Sequence, residues 1–301
     1  MTDNQYLKAD LLLVLVTLLA ALGWIFSQEA LAEMPPLLFL GTRFLLASVV
    51  LGVAGGRRWR GLTGKQFRVS AWVGVLFASA MMLWIMGLHF ATHVGEGAFI
   101  ASLGTVMVPV VALLLFREPQ PRVMWIALPV AVVGFATLAL GREGSGMVFQ
   151  PEIGQLYFLA AAVMFALQIN VNGRAVQQVP ALLLTAIQLM VVGVLAMTIS
   201  YFTEQWPSGI STEVTGWLLA SAFISSSLRF LIQTYALGLA PVSHGAMILT
   251  LEPIWVAVLA ILWLGESMTG IQVAGCALIF SALMINRWQG LVMFFRRGAT
   301  R

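Results

Sequence analysis

"AFIASLGTVMVPVVALLLFRE" (98–118) can be laid without a gap on "AMILTLEPIWVAVLAILWLGE" (246–266). Ala98/Ala246, Ile100/Ile248, Leu103/Leu251, Val108/Val256, Val110/Val258, Ala112/Ala260, Leu114/Leu262 and Glu118/Glu266 are identical, at an offset of 148 in a chain of 301 residues. Half the chain therefore repeats the other half. Working outward, apolar runs of about 20 residues recur along the whole length, each long enough to cross a ~30 Å hydrocarbon core. They lie at about 9–28, 36–55, 69–90, 96–116, 123–140, 153–172, 180–201, 214–236, 243–264 and 269–287. Five spans per half is an odd number, so the second copy enters the membrane upside down. The expected fold is an all-α membrane protein of ten transmembrane helices in two inverted five-helix repeats, residues 1–145 and 146–301, within one membrane domain. Inverted repeats of this kind build secondary transporters, whose site lies between the halves.

Composition agrees. The chain is 60% hydrophobic and only 9% charged, against roughly 25% charged in soluble domains. That leaves too little charge to cover a water-facing surface. The net charge of +4 is not a nucleic-acid signal, because the basic residues sort by membrane side. With the N-terminus cytoplasmic, thirteen of the sixteen Lys and Arg fall on inner segments: Lys8, Arg57, Arg58, Arg60, Lys65, Arg68, Arg117, Arg122, Arg174, Arg287, Arg296, Arg297 and Arg301. The positive-inside rule then places both termini inside. Glu29, Glu33, Glu143, Glu152, Glu204, Glu213 and Glu266 fall outside. The tail around Leu291–Arg297 mixes apolar and basic residues and is expected on the inner leaflet. The first span lacks a basic leader and a small-residue cleavage site, so it reads as a membrane helix rather than a signal peptide. Cys276 is the only cysteine, so no internal disulfide forms. The longest polar connections, 57–68, 142–152 and 203–213, are too short for a soluble domain.

Ionisable groups inside a membrane mark functional sites by default. Arg229 lies ~12 Å above the inner end of span eight. Glu252 lies at a similar height on the next span, so the two are expected to pair. The pair either locks two helices together or lines a cavity, where Arg229 attracts a carboxylate or Glu252 takes up a proton. Ser225, Arg229 and Gln233 are spaced by four, which places them on one face of a regular helix. That stripe is expected to face the cavity. Gln168, Asn170 and Asn172 on span six and Ser102 on span four are softer polar signals. Trp24, Ser79 and Met82 are expected to add to the lining, and thioethers repack readily around varied ligands. Arg43 is expected to snorkel toward headgroups or pack on a carbonyl. His89, His93 and Glu96 are expected in a solvated outer turn, and His244 at an inner interface. Trp59, Trp206 and Trp288 suit the interfacial belts. No catalytic group, metal site or cofactor motif is read, and no P-loop appears, so ATP is not the direct driver.

The chain resembles the drug/metabolite transporter superfamily in its ten-helix EamA-type branch. The resemblance rests on the two halves, on "PPLLFLGTRFLLA" (35–47) and on "LEPIWVAVLAILWLGE" (251–266). "LHFATHVGEGAF" (88–99) is similar to bacterial exporters of aromatic and other neutral amino acids. The sequence departs from its own repeat at Gly104 and Thr105, where the second half has Glu252 and Pro253. The resemblance implies export of small metabolites across an inner membrane through a cavity lined by helices 1, 3, 4, 6, 8 and 9. Its partners would be a small-molecule substrate, the lipid bilayer and, for a coupled carrier, protons. Drugs or other metabolites are the alternative cargo. A membrane-embedded transferase would need clustered acids or a metal at one face, and beyond the turn between spans three and four no loop shows paired Asp residues or a His-rich cluster; a passive channel would need helices around a continuous axis, and the inverted halves favour a carrier instead.

Overall fold

The computed structural model describes residues 3–120, 123–140, 151–237 and 248–286. His244, Trp288, the basic tail and the 142–150 part of the middle connection lie outside the described residues. The rest forms α1 (Asp3–Ala30), α2 (Pro36–Gly55), α3 (Gly64–His89), α4 (Val94–Phe116), α5 (Met124–Leu140), α6 (Ile153–Ala175) and α7 (Ala181–Thr203). A single 3₁₀ segment, Gly56–Gly61, follows α2. Helix α8 runs over 212–237 in three parts: Thr212–Ala220, a π-helical stretch Ser221–Leu228, and Arg229–Leu237. Helix α9 (Leu249–Leu264) opens with a 3₁₀ turn, and α10 is Gly270–Asn286. All ten predicted spans are helical where described, and the described residues contain no strand. Among the described residues, seven helices are long and apolar enough to span a membrane; the described parts of α5, α9 and α10 cover fewer residues and are also apolar. The outward surface is lipid-like, with Leu262 77% and Trp125 61% exposed. In water such a surface would aggregate.

The two halves are inverted. Helices α2 and α7 are each other's repeat and pack side by side. Gly41 meets Met197, Gly193 meets Leu45, and Gly55 meets Leu183, so the two run antiparallel. Helices α5 and α10 do the same: Gly134 abuts Ile279 and Gly275, while Gly275 abuts Leu138. A Cβ on Gly134 would stand 2.8 Å from the Ile279 side chain and 3.1 Å from the Gly275 carbonyl. Only glycine lets those backbones approach so closely. Equivalent helices that run antiparallel across a two-fold axis place that axis in the membrane plane. The remaining packing obeys the same axis: α3 on α6 answers α8 on α1, α4 on α6 answers α9 on α1, and α3 on α7 answers α8 on α2.

Local chemistry ends the repeated helices at matching points. Arg117 after α4 and Gly265 after α9 are both left-handed, φ 54° and 68°. In both, the next amide closes the turn: Glu118 N donates to Ala112 O and Glu266 N to Ala260 O, each at 3.2 Å. This is the C-terminal reversal that satisfies carbonyls left over by a helix. Glycine suits it, whereas Arg117 adopts it at a steric cost.

Pro109 inside α4 illustrates how the membrane interior is kept saturated. Proline has no N–H, so the carbonyl four residues back, Thr105, loses its helical partner. Asn286 at the end of α10 donates its side-chain amide to that carbonyl at 3.1 Å. Asn170 of α6 similarly donates to Val108 O at 2.9 Å. Amides supplied by neighbouring helices are how a helix tolerates an internal proline in lipid.

Candidate functional site in the membrane interior

Helices α1, α2, α8 and α9 converge on a polar cluster. Trp24 lies six residues, ~9 Å, from the Ala30 end of α1. Its indole Nε1 donates to Glu252 Oε1 at 3.2 Å. Arg229 Nη2 faces the other carboxylate oxygen, Oε2, at 3.5 Å. The expected Arg229–Glu252 pair therefore forms, but it is slack. The Arg174–Glu118 pair at a helix end closes to 2.6 Å, and charge-assisted bonds usually lie near 2.7–2.9 Å. Both members of the inner pair keep about a quarter of their side-chain surface open, 23% and 26%. Two further polar atoms there are buried without a partner, Arg229 Nε and Gln233 Oε1.

Arg43 corrects the expectation of snorkelling. It is only 5% exposed and reaches inward. Nε donates to Ser226 Oγ and Nη1 to Ser27 Oγ, both at 2.8 Å. Its guanidinium lies 5.2 Å from the Phe44 ring and 5.9 Å from Phe39. Ser27 in turn donates to Gly23 O. Arg43 thus ties α2 to α1 and α8. Among the described residues, no carboxylate lies within 4.0 Å of it. Ser226, which accepts from it, lies three residues before Arg229 on α8.

The π-helical stretch changes the expected stripe on α8. A π turn holds more residues per turn than an α turn, so a spacing of four no longer keeps one face. Ser225 turns into packing: its Oγ donates to Ser221 O at 2.9 Å, and it is pressed against Gly23, where an added Cβ would fall 2.8 Å from Ser225 Cβ. Ser226 binds Arg43. Arg229, past the π stretch, is half-buried beside Glu252, and Gln233 is half-buried one helical turn further on. The expected trio is therefore divided: Ser225 is structural, Arg229 is at the polar cluster, and Gln233 follows it by one turn.

Aromatic rings close one side. Trp24 meets Trp84 edge-on at 4.8 Å and Phe158 at 5.5 Å. Phe158 of α6 fits against Gly87 and Gly97. Met82 is half-buried against this core. Ser79 and Ser102 are half-buried and donate to carbonyls of their own helices, Val75 O and Phe99 O. Gln168 is buried away from the cluster: it donates to Gln188, which donates to Asn172, linking α6 and α7.

At the opposite end of α4, Glu96 also departs from expectation. Rather than lying in a solvated turn, it is 3% exposed and accepts from Gln155 Nε2 at 3.0 Å. His93 Nδ1 is buried without a partner, while His89 is exposed. Two carboxylates expected outside act as helix caps. Glu266 accepts from Val94 N and Gly95 N at 2.6 and 3.2 Å, and Glu204 from Leu37 N and Leu38 N at 2.8 and 2.9 Å. Each satisfies amides that a helix start leaves unpaired and favours its dipole. Among the described residues, no three His, Cys, Asp or Glu are placed to hold a metal ion.

An inverted ten-helix membrane bundle with a charged cluster inside it defines a transporter fold. The chain belongs to the EamA-like transporter family, which matches it twice, over residues 7–140 and 152–288. An uncharacterized transporter of Archaeoglobus fulgidus is 25% identical over 279 residues, covering 93% of this chain and 85% of that protein. The uncharacterized transporter YvbV of Bacillus subtilis is 25% identical over 287 residues, covering 92% and 91%. A solved crystal structure shares the fold, with TM-score 0.64 and 20% identity, over 95% of this chain and 98% of that one. The protein is a multi-pass membrane transporter by family.

Proposed function

We propose that the chain is a secondary carrier in a bacterial inner membrane, with both termini cytoplasmic, and that it exports aromatic and other neutral amino acids by alternating access. The observation that carries this reading is the slack Arg229–Glu252 pair with unsatisfied Arg229 Nε and Gln233 Oε1 around it. Polar atoms inside a membrane are costly to leave unpaired. An arrangement that leaves them so suits a site whose partner comes and goes. Trp24, Trp84 and Phe158 form a buried aromatic cluster beside the charges, and on this reading its opening admits a ligand with a polar head and a flat apolar side chain. The carrier binds its cargo between the halves, which then rock about the glycine-paired seams.

Purified protein in proteoliposomes loaded with unlabelled phenylalanine tests the reading. Saturable counterflow of labelled phenylalanine supports it. Flux linear in concentration or chemical conversion of the amino acid refutes it, and so does the absence of flux for phenylalanine, tyrosine, tryptophan and leucine alike.

A further inference from the structure

The charges of the polar cluster do not balance. Arg43 and Arg229 are two cations and Glu252 is one anion, held on helices that pack together. Ser226, which binds Arg43, lies three residues from Arg229 on α8. Trp24, which binds Glu252, is the neighbour of Gly23, which faces Arg43. Arg43 is satisfied by hydroxyls and ring faces, which solvate a cation without neutralising it. A net positive charge inside a hydrocarbon layer is expensive unless an anion joins it. The groups left open point the same way. Arg229 Nε–H is a donor with no acceptor, and the bond from Arg229 to Glu252, at 3.5 Å, is long enough for a ligand oxygen to compete with.

We propose that the recognised group of the ligand is a carboxylate, bound by Arg229 under the added positive potential of Arg43, and that an ammonium on the ligand is dispensable. This rests on the carrier reading for transport but predicts binding on its own. A monoanion neutralises the cluster, whereas a zwitterion leaves it positive and an amine makes it more so. Amino acids fit because they carry a carboxylate. Carboxylic acids of the same shape without the amino group fit at least as well. Arg43 is a positioning residue: it touches no ligand and acts through the field at Arg229.

Four compounds with one ring isolate the head group: 3-phenylpropionate, phenylalanine, phenylalanine amide and phenethylamine. Two measurements on the full-length protein are made in parallel. One is the ligand-induced thermal shift in detergent, and the other is inhibition of phenylalanine counterflow. The expected order is phenylpropionate equal to or tighter than phenylalanine, with the amide and the amine weaker by about tenfold or more, the size of one charge-assisted hydrogen bond. Arg229→Gln is expected to abolish the difference. Arg43→Met is expected to reduce carboxylate affinity severalfold and to raise, not lower, that of the amine, an opposite shift that simple misfolding would not produce. Phenethylamine or the amide binding as tightly as phenylpropionate overturns the proposal, even if phenylalanine is transported. Carboxylate-selective thermal shifts without any flux support this proposal and refute the carrier reading instead.

Discussion

Deleting the Arg43 charge is predicted to harm the fold less than deleting its partners. Arg43 makes two hydrogen bonds at 2.8 Å to Ser27 and Ser226. Side-chain bonds inside a membrane average about 0.6 kcal/mol, so the two contribute about 1 kcal/mol. Its placement over Phe44 and near Phe39 adds about 0.5–1 kcal/mol per ring. Against this total of about 2–3 kcal/mol stands the cost of an arginine in mid-membrane, about 2.5–3.5 kcal/mol on the insertion scale. Arg43→Met keeps most of the volume and removes both sides of that balance, so stability should change by no more than about 1 kcal/mol. Ser27→Ala with Ser226→Ala keeps the ring contacts but strips two buried N–H donors of their acceptors while the charge stays. That should cost about 3 kcal/mol, at about 1–3 kcal/mol for each buried donor left unsatisfied. Denaturation by SDS of purified protein in mixed micelles reads both variants. If Arg43→Met unfolds more readily than the double serine variant, the balance is wrong, and the arginine earns its place through stability alone.

Other expectations follow from single contacts. Arg117→Gly should stabilise by about 1 kcal/mol, because glycine adopts the left-handed turn at 117 without strain, as Gly265 does in the other half; an unchanged unfolding midpoint would contradict this. Glu204→Ala should cost about 1–2 kcal/mol by stripping the cap from the Leu37 and Leu38 amides, and Glu204→Gln should recover part of it, both read from the same unfolding curves. Gly134→Leu should overpack the α5–α10 seam by about 1–3 kcal/mol or more and lower the folded yield, whereas the same change at Gly173, which has open space around it, should be neutral. Phe158→Ala should destabilise by about 3–5 kcal/mol, since this ring is 1% exposed and fills the gap between α3 and α4.

The ten spans were readable because length and hydropathy alone decide which helices cross a membrane, and the inversion followed from the odd number per half. Pairing of Arg229 with Glu252 was readable too, from height on adjacent helices. The π-helical stretch was not. "SAFISSSL" contains neither proline nor glycine nor charge to mark it, so the spacing of Ser225, Arg229 and Gln233 suggested a common face that the backbone does not keep. Arg43 was misjudged because its partners, Ser27 and Ser226, look like ordinary small packing residues in sequence. Glu204 and Glu266 read as plain outer charges, since the amides they cap lie 166–172 residues away along the chain. Glu96 was placed in solvent because its partner Gln155 belongs to the other repeat. The thioether and serine candidates Met82, Ser79 and Ser102 carry no spacing signal that separates a cavity wall from ordinary packing.

Duplication would be expected to deliver matching chemistry to both halves, yet the ionic pair is single. At the offset of 148 that aligns the repeats, Gly104 stands opposite Glu252 and Met81 opposite Arg229. A dimer of two identical halves could hold no such pair or two of them, never one. Joining the halves in one polypeptide is what permits an odd charge at the centre of an otherwise even-handed frame.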